Sequence, residues 1–211
     1  LKDITISRMA KDVKELIEYL HLCDVTLLGW SMGGQVALMY WRKYAGYGYV
    51  RRMGILDSTL YPFSEEEWNQ HGNRNYNMDK ANDRLIHMLE DHEADAYAMV
   101  EGMVVEGTCQ EDKEWIQKEI MKTPPYIAYS IYTDFLGRDF TEYIPAVMIP
   151  ILFIGSTSPA VKGELAMDYY VSKCRTSYEL VKIGNSGHFF FYFQPERFNK
   201  IVLDFIEKYP V

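Results

Sequence analysis

Four short strand-like runs constrain this chain more than any other feature: Val25-Thr26-Leu27-Leu28, Met53-Gly54-Ile55-Leu56, Ile151-Leu152-Phe153-Ile154 and Tyr178-Glu179-Leu180-Val181. The first three have the length and composition of buried strands, the fourth reads as a strand, and helical patterns separate one from the next. Residues 33–44 follow the first run, fading into Gly46 and Gly48, and residues 164–173 follow the third. Residues 195–209 close the chain, with Pro195 at the first helical position and Phe198, Ile201, Val202, Phe205 and Ile206 on one face. A further amphipathic helix opens it at 6–20, where Met9, Val13, Leu16, Ile17 and Leu20 recur at helical spacing and Ser7 is the expected N-cap. Strands separated by helices require right-handed crossovers, and so an α/β fold with a mostly parallel sheet covered by helices on both faces.

Between the second and third runs the texture changes. Residues 60–143 carry 18 acidic and 7 basic side chains, a net charge of −11 that leaves +3 on the remainder. Helical spacing dominates there, as in Leu85, Met88 and Leu89 or Trp115, Ile116 and Ile120, and Thr123-Pro124-Pro125 interrupts it. The stretch reads as a helical cap or lid, 60–143, inserted into a core made of 1–59 and 144–211. A length of 211 residues fits one domain with such an insertion.

Composition narrows the partners. A net charge of −8 argues against a nucleic-acid binder, which needs a basic surface. No run approaches the ~18 apolar residues of a membrane span, and no charged-then-apolar leader is evident. Cys23, Cys109 and Cys174 are odd in number and far apart, which fits neither a disulfide framework nor a metal knuckle. No histidine spacing suggests a metal, so neither metal nor organic cofactor is expected. The expectation is a cytoplasmic protein with a small-molecule partner, with a homodimer left open.

The chemistry sits in Gly29-Trp30-Ser31-Met32-Gly33, a Gly-x-Ser-x-Gly pentapeptide at the point where a buried strand ends and a helix begins. A nucleophile elbow needs that placement, because the serine occupies a strained turn and flanking glycines let strand and helix approach. The bland alternative is a glycine-rich turn with an incidental serine. The segment lacks the lysine of a phosphate-cradling loop. A serine hydroxyl also needs a base. His71, His87 and His92 lie in the acidic insertion and His21 ends the first helix, whereas His188 follows a late strand in Gly184-Asn185-Ser186-Gly187-His188-Phe189. Its bland reading is a histidine packed on Phe189 and Phe190.

Three segments, GWSMGGQVAL, IPILFIG and NSGHFFFYFQPERFNKIVLDFI, resemble the α/β-hydrolase superfamily, closest to small bacterial esterase-like members with a helical cap. The resemblance implies Ser31 as nucleophile, His188 as general base and the Met32 N–H as an oxyanion donor. Two departures stand out. At the usual place of the triad acid the chain reads Gly155-Ser156-Thr157-Ser158-Pro159, with Ser158 where a carboxylate is expected. Some members carry the acid after the preceding strand, where Asp57 stands, and the order Ser31, Asp57, His188 suits that arrangement. Asp57 is therefore taken as the working triad acid, its bland reading being a cap on the turn into Ser58-Thr59; Asp168 is the runner-up, with Asp134 and Asp139 after it. The second departure is that the family places further strands, and the second oxyanion donor, before the elbow. With Leu1 and a single helix and strand preceding Ser31, the natural protein is expected to be longer.

A cap inserted after Asp57 would cover Ser31. It holds Tyr61, Phe63, Trp68, Tyr76, Met78 and Met88, then Met99, Met103, Trp115 and Met121, most of them expected to pack the lid itself. Trp30, Tyr61 and Trp68 are the candidates for substrate contact. The acidic cap disfavours anionic substrates. The leading expectation is a serine hydrolase that cleaves a neutral, moderately apolar ester, thioester or lactone through an acyl-enzyme on Ser31. A non-catalytic ligand-binding or signalling protein on the same scaffold is the alternative, with Ser158 the trace of lost catalysis. Perhydrolysis or carbon–carbon bond hydrolysis on the same residues is a third.

Overall fold

The computed structural model of the chain describes residues 3–69, 76–157 and 162–210. Its centre is a four-stranded parallel sheet in the order β1 (Val25–Trp30), β2 (Val50–Leu56), β3 (Ile151–Ser156), β4 (Tyr178–Ile183). Each strand outruns its apolar core by two or three residues, because the ladder continues wherever a neighbouring strand offers carbonyls. Alternation decides where side chains go. Along β3, Ile151 and Phe153 join the cluster that includes Met39, Tyr40 and Tyr170. Leu152 and Ile154 point the other way, to Ile183, Phe190 and Phe205. Both faces are buried, which is why this strand is apolar without a break.

Helix α1 (Ile6–Tyr19) starts where its spacing suggested and ends one residue sooner, but its N-cap is Thr5 rather than Ser7: the Thr5 side chain accepts from the Arg8 N–H. Ser7 already lies inside the first turn, and the Ile6 N–H is taken by Asp134 Oδ2 at 2.7 Å. Helix α2 (Gly33–Tyr44) connects β1 to β2 through a short 3-10 turn that ends at Gly48, where φ is 69° and a side chain would be strained.

Between β2 and β3 come α3 (Met78–Glu90), α4 (His92–Met103), α5 (Gln110–Met121) and α6 (Pro125–Leu136), with no strand among the described residues. Asn77 and Asp91 cap α3 and α4 by accepting from Lys80 N and Ala94 N, both at 3.0 Å. The Thr123-Pro124-Pro125 break separates α5 from α6. This segment is anchored in the main core, where Leu60, Ile131 and Phe140 pack with α1 and α2. Helix α7 (Gly163–Lys173) joins β3 to β4. The stretch after β4 is more ordered than a loop: a 3-10 turn at Gly187–Phe189 runs into α8 (Phe190–Phe193) and then α9 (Pro195–Lys208).

Candidate active site

The carboxyl ends of β1 and β2 carry the two key turns. The Ser31 N–H donates to the Leu56 carbonyl at 2.9 Å, so the sheet ladder holds Ser31 before the chain turns away at φ 53°. The Asp57 N–H donates to the Ile154 carbonyl at 2.7 Å, and Asp57 takes φ 46°. Left-handed conformations at non-glycine residues cost on the order of 1 kcal/mol and persist only where the surroundings hold them. At the first turn a Cβ on Gly29 would overlap the Gly33 carbonyl, so strand and helix touch backbone to backbone there. Gly33 has open space around it. The second close approach belongs to Gly34, which faces the Ser58 side chain. The steric requirement thus falls on Gly29 and Gly34 rather than on the two glycines of the pentapeptide.

Asp57 and His188 are 131 residues apart in sequence and bonded in space: His188 Nδ1 lies 2.7 Å from Asp57 Oδ2, with both side chains at most 1% exposed. The other carboxylate oxygen, Oδ1, accepts from the Ser156 N–H at 3.0 Å. Trp30 donates its indole N–H to the His188 carbonyl at 2.9 Å, and its ring lies 4.6 Å from the imidazole, so this tryptophan holds the histidine segment as well as facing it.

Ser31 and His188 open into one cavity of about 540 Å³. It is lined by Trp30, Met32 and Gly33 at the turn, by Met99 and Met103 of α4 with Trp115, Ile116 and Ile120 of α5, and by Phe189, Phe191 and Tyr192 after β4. The lining is almost wholly apolar, with Glu119 as the charged exception among the described residues. At the rim, Trp115 stacks on Tyr192 with ring centres 5.2 Å apart and planes 12° from parallel. Tyr192 also donates to Asp112 Oδ1 at 2.7 Å, which ties α5 to α8. The Cys109 thiol, and then this hydroxyl, hold the Asp112 carboxyl below its ordinary range.

The alpha/beta hydrolase family matches the chain over residues 2–201. The chain belongs to that family. On that membership it is an enzyme of the hydrolase class. It is 23% identical over 200 residues to an AB hydrolase superfamily protein of Bacillus subtilis, YisY, covering 93% of this chain and 72% of that protein. The fold is similar to an esterase from Exiguobacterium antarcticum, with a TM-score of 0.83 at 20% identity, over 97% of this chain and 74% of the other. It is also similar to a thermophilic esterase from Thermogutta terrifontis, with a TM-score of 0.81 at 23% identity, over 98% and 74%. No helix among the described residues is long and apolar enough to cross a membrane.

Within this alpha/beta hydrolase the other sequence candidates fall elsewhere. Asp168 pairs with Lys182 at 2.6 Å on the surface, Asp134 accepts from the Ile6 N–H, and Asp139 bonds the Thr141 N–H and hydroxyl at 2.8 and 2.6 Å. Each is bonded to a partner other than the histidine. Of the other histidines, His92 bonds the Thr123 carbonyl, and His21 and His87 are exposed. Ser158 and His71 lie outside the described residues.

Of the three substrate-contact candidates, Trp30 lines the cavity, and Tyr61 and Trp68 do not. Trp68 instead stacks on Tyr169 at 4.4 Å and 5°, because the chain leaving β2 runs over α7 before it reaches the helices above the serine. From the aromatic and methionine set, Met99, Met103 and Trp115 reach the cavity, while Met88 is buried elsewhere and Met78 is exposed. Sequence reasoning missed Ile116, Ile120, Phe189, Phe191 and Tyr192. Five consecutive aromatics at 189–193 were the available signal, since a four-residue helix cannot bury them all on one side. Phe190 enters the core, and its neighbours turn to the cavity.

Proposed function

We propose that the protein is a serine esterase that hydrolyses a neutral, moderately apolar ester, thioester or lactone. The observation that carries this reading is the buried Asp57–His188 hydrogen bond at 2.7 Å beside a cavity that Ser31 shares and that is lined by apolar side chains. With Asp57 ionised, Nδ1 of His188 keeps its proton and Nε2 is the basic nitrogen. Ser31 Oγ attacks the acyl carbon while Nε2 takes the hydroxyl proton. The carbonyl electrons move onto oxygen, where the Met32 N–H at the start of α2 serves as one donor. Collapse of that oxyanion breaks the bond to the alcohol, which leaves with the proton from His188. Water, deprotonated by His188, then cleaves the acyl-enzyme and restores Ser31.

Helices α4 and α5 act as a lid over the serine in this reading. The cavity volume accepts a branched or aromatic substituent, and its methionines adapt to more than one shape. Glu119 at the wall, within a strongly acidic helical segment, disfavours substrates that carry a carboxylate.

Intact-mass measurement after treatment with a fluorophosphonate tests the nucleophile. One adduct per chain is expected, and none in Ser31→Ala of unchanged far-UV circular dichroism. A folded wild-type protein that takes no adduct would overturn the reading and direct attention to ligand binding instead.

A further inference from the structure

The turn that follows β2 is gripped by α7. At the first residue of α7, Gly163 faces the carboxylate of Asp57, and a Cβ built there would overlap Oδ1. Seven residues on, two helical turns later and on the same face, stands Tyr170. Its ring is fully buried. Its hydroxyl accepts from the Leu60 N–H at 2.9 Å and donates to the Ser58 carbonyl at 3.1 Å. On the far side of the turn, Gly34 of α2 makes room for the Ser58 side chain. Residues 57–60 are therefore wedged between the start of α2 and one face of α7.

That wedge has a purpose in a left-handed turn. Asp57 holds φ 46°, and a turn free to relax toward the ordinary region would swing the carboxylate away from His188 Nδ1. The hydroxyl of Tyr170 is separable from its ring. The ring packs edge-on against Trp68 and Tyr169, which a phenylalanine would do equally well. The oxygen touches only the backbone of the acid turn among the contacts described, and burial pushes its titration far above the usual tyrosine range, so it remains a donor.

We infer that Tyr170 and Gly163 are positioning residues for the Asp57–His188 pair, with α7 holding the carboxylate at the height and angle the imidazole requires. The inference rests on the proposed reading of Asp57 and His188. A loosened turn weakens the support that a carboxylate gives to the imidazolium. The imidazole then takes the Ser31 proton less well, and the loss falls on kcat while KM holds.

The test is Tyr170→Phe in the full chain, assayed on a p-nitrophenyl ester near neutral pH, beside Tyr169→Phe as the packing control. Tyr170→Phe is expected to lower kcat about tenfold with KM within about twofold, since small misplacements of catalytic groups are costly. Tyr169→Phe leaves both kcat and KM as in wild type. A Tyr170→Phe protein with the wild-type kcat overturns the inference, whatever its melting temperature. Gly163→Ala gives a second route should that variant not accumulate. It is expected to lose about a hundredfold in kcat, and to add less than about twofold to the loss already caused by Asp57→Asn. Additive losses would overturn the proposal. If Asp57→Asn alone keeps full activity, the reading of the site fails. If Asp57→Asn is inactive while Tyr170→Phe is normal, only the role of α7 fails.

Discussion

Replacing Asp57 by Asn probes the centre of the proposed mechanism with almost no change in volume. The Ser156 N–H donates to Asp57 Oδ1 at 3.0 Å, and His188 Nδ1 sits 2.7 Å from Oδ2. An asparagine has one acceptor and one donor to place at those positions. Its carbonyl oxygen must face the Ser156 N–H, since two donors would otherwise meet, so its amide NH₂ is turned to His188. Nδ1 then becomes an acceptor, the imidazole proton moves to Nε2, and the nitrogen that should take the Ser31 proton is blocked. The wrong tautomer in a buried site costs about 10³–10⁴-fold in kcat, which is roughly 4–5.5 kcal/mol of barrier. The fold loses little, because no unbonded charge is left behind; the melting temperature should stay within about 3 °C of wild type. Initial rates on p-nitrophenyl acetate and butyrate near neutral pH, with a thermal melt of each protein, give the comparison. A variant within about threefold of the wild-type kcat refutes the tautomer argument, and with it the assignment of Asp57 as the residue that orients His188.

Two further substitutions address the elbow and the cavity. Gly29→Ala forces the end of β1 away from the Gly33 carbonyl, and the strain should cost about 3 kcal/mol or more, lowering the melting temperature by roughly 6–12 °C. Gly33→Ala, which meets open space, should leave it within about 2 °C; equal melts for the two would contradict the contact. Ile116→Trp puts an indole into the cavity from α5, so kcat/KM should fall at least about tenfold for phenyl-bearing esters while acetates are little changed. A uniform loss across both substrates would mean that the cavity does not receive the substituent.

Much of the framework was legible because it is local. A run such as Ile151-Leu152-Phe153-Ile154 has nowhere to go in water except the middle of a sheet, and its lack of polar residues announces helices on both sides. The strand–Ser31–helix sequence at 25–44 carries its own geometry, since the glycine at 29 is needed by residues only four and five positions on. Even the position of Asp57 follows from local order, as the first polar residue after an apolar strand in a parallel sheet. The N-cap of α1 was less legible: Thr5 and Ser7 are both competent caps, and the choice was made by Asp134, from the far end of α6, which takes the Ile6 N–H.

What the sequence by itself determined is therefore the layering, the direction of the strands and the ends of the sheet where Ser31, Asp57 and His188 emerge. Only the tertiary structure decided which of several carboxylates meets His188, because Asp57, Asp134, Asp139 and Asp168 differ in their surroundings rather than in their chemistry. Three of them are taken by a helix start, a local turn and a surface lysine. Tertiary packing also decided which aromatics face the serine. Trp68 and Trp115 are indistinguishable by type, yet one stacks on α7 and the other on Tyr192 at the cavity rim. Hydrophobic burial specifies that such a ring be covered, and it does not specify by what; the path of the chain between β2 and β3 settles that, and with it the shape of the site.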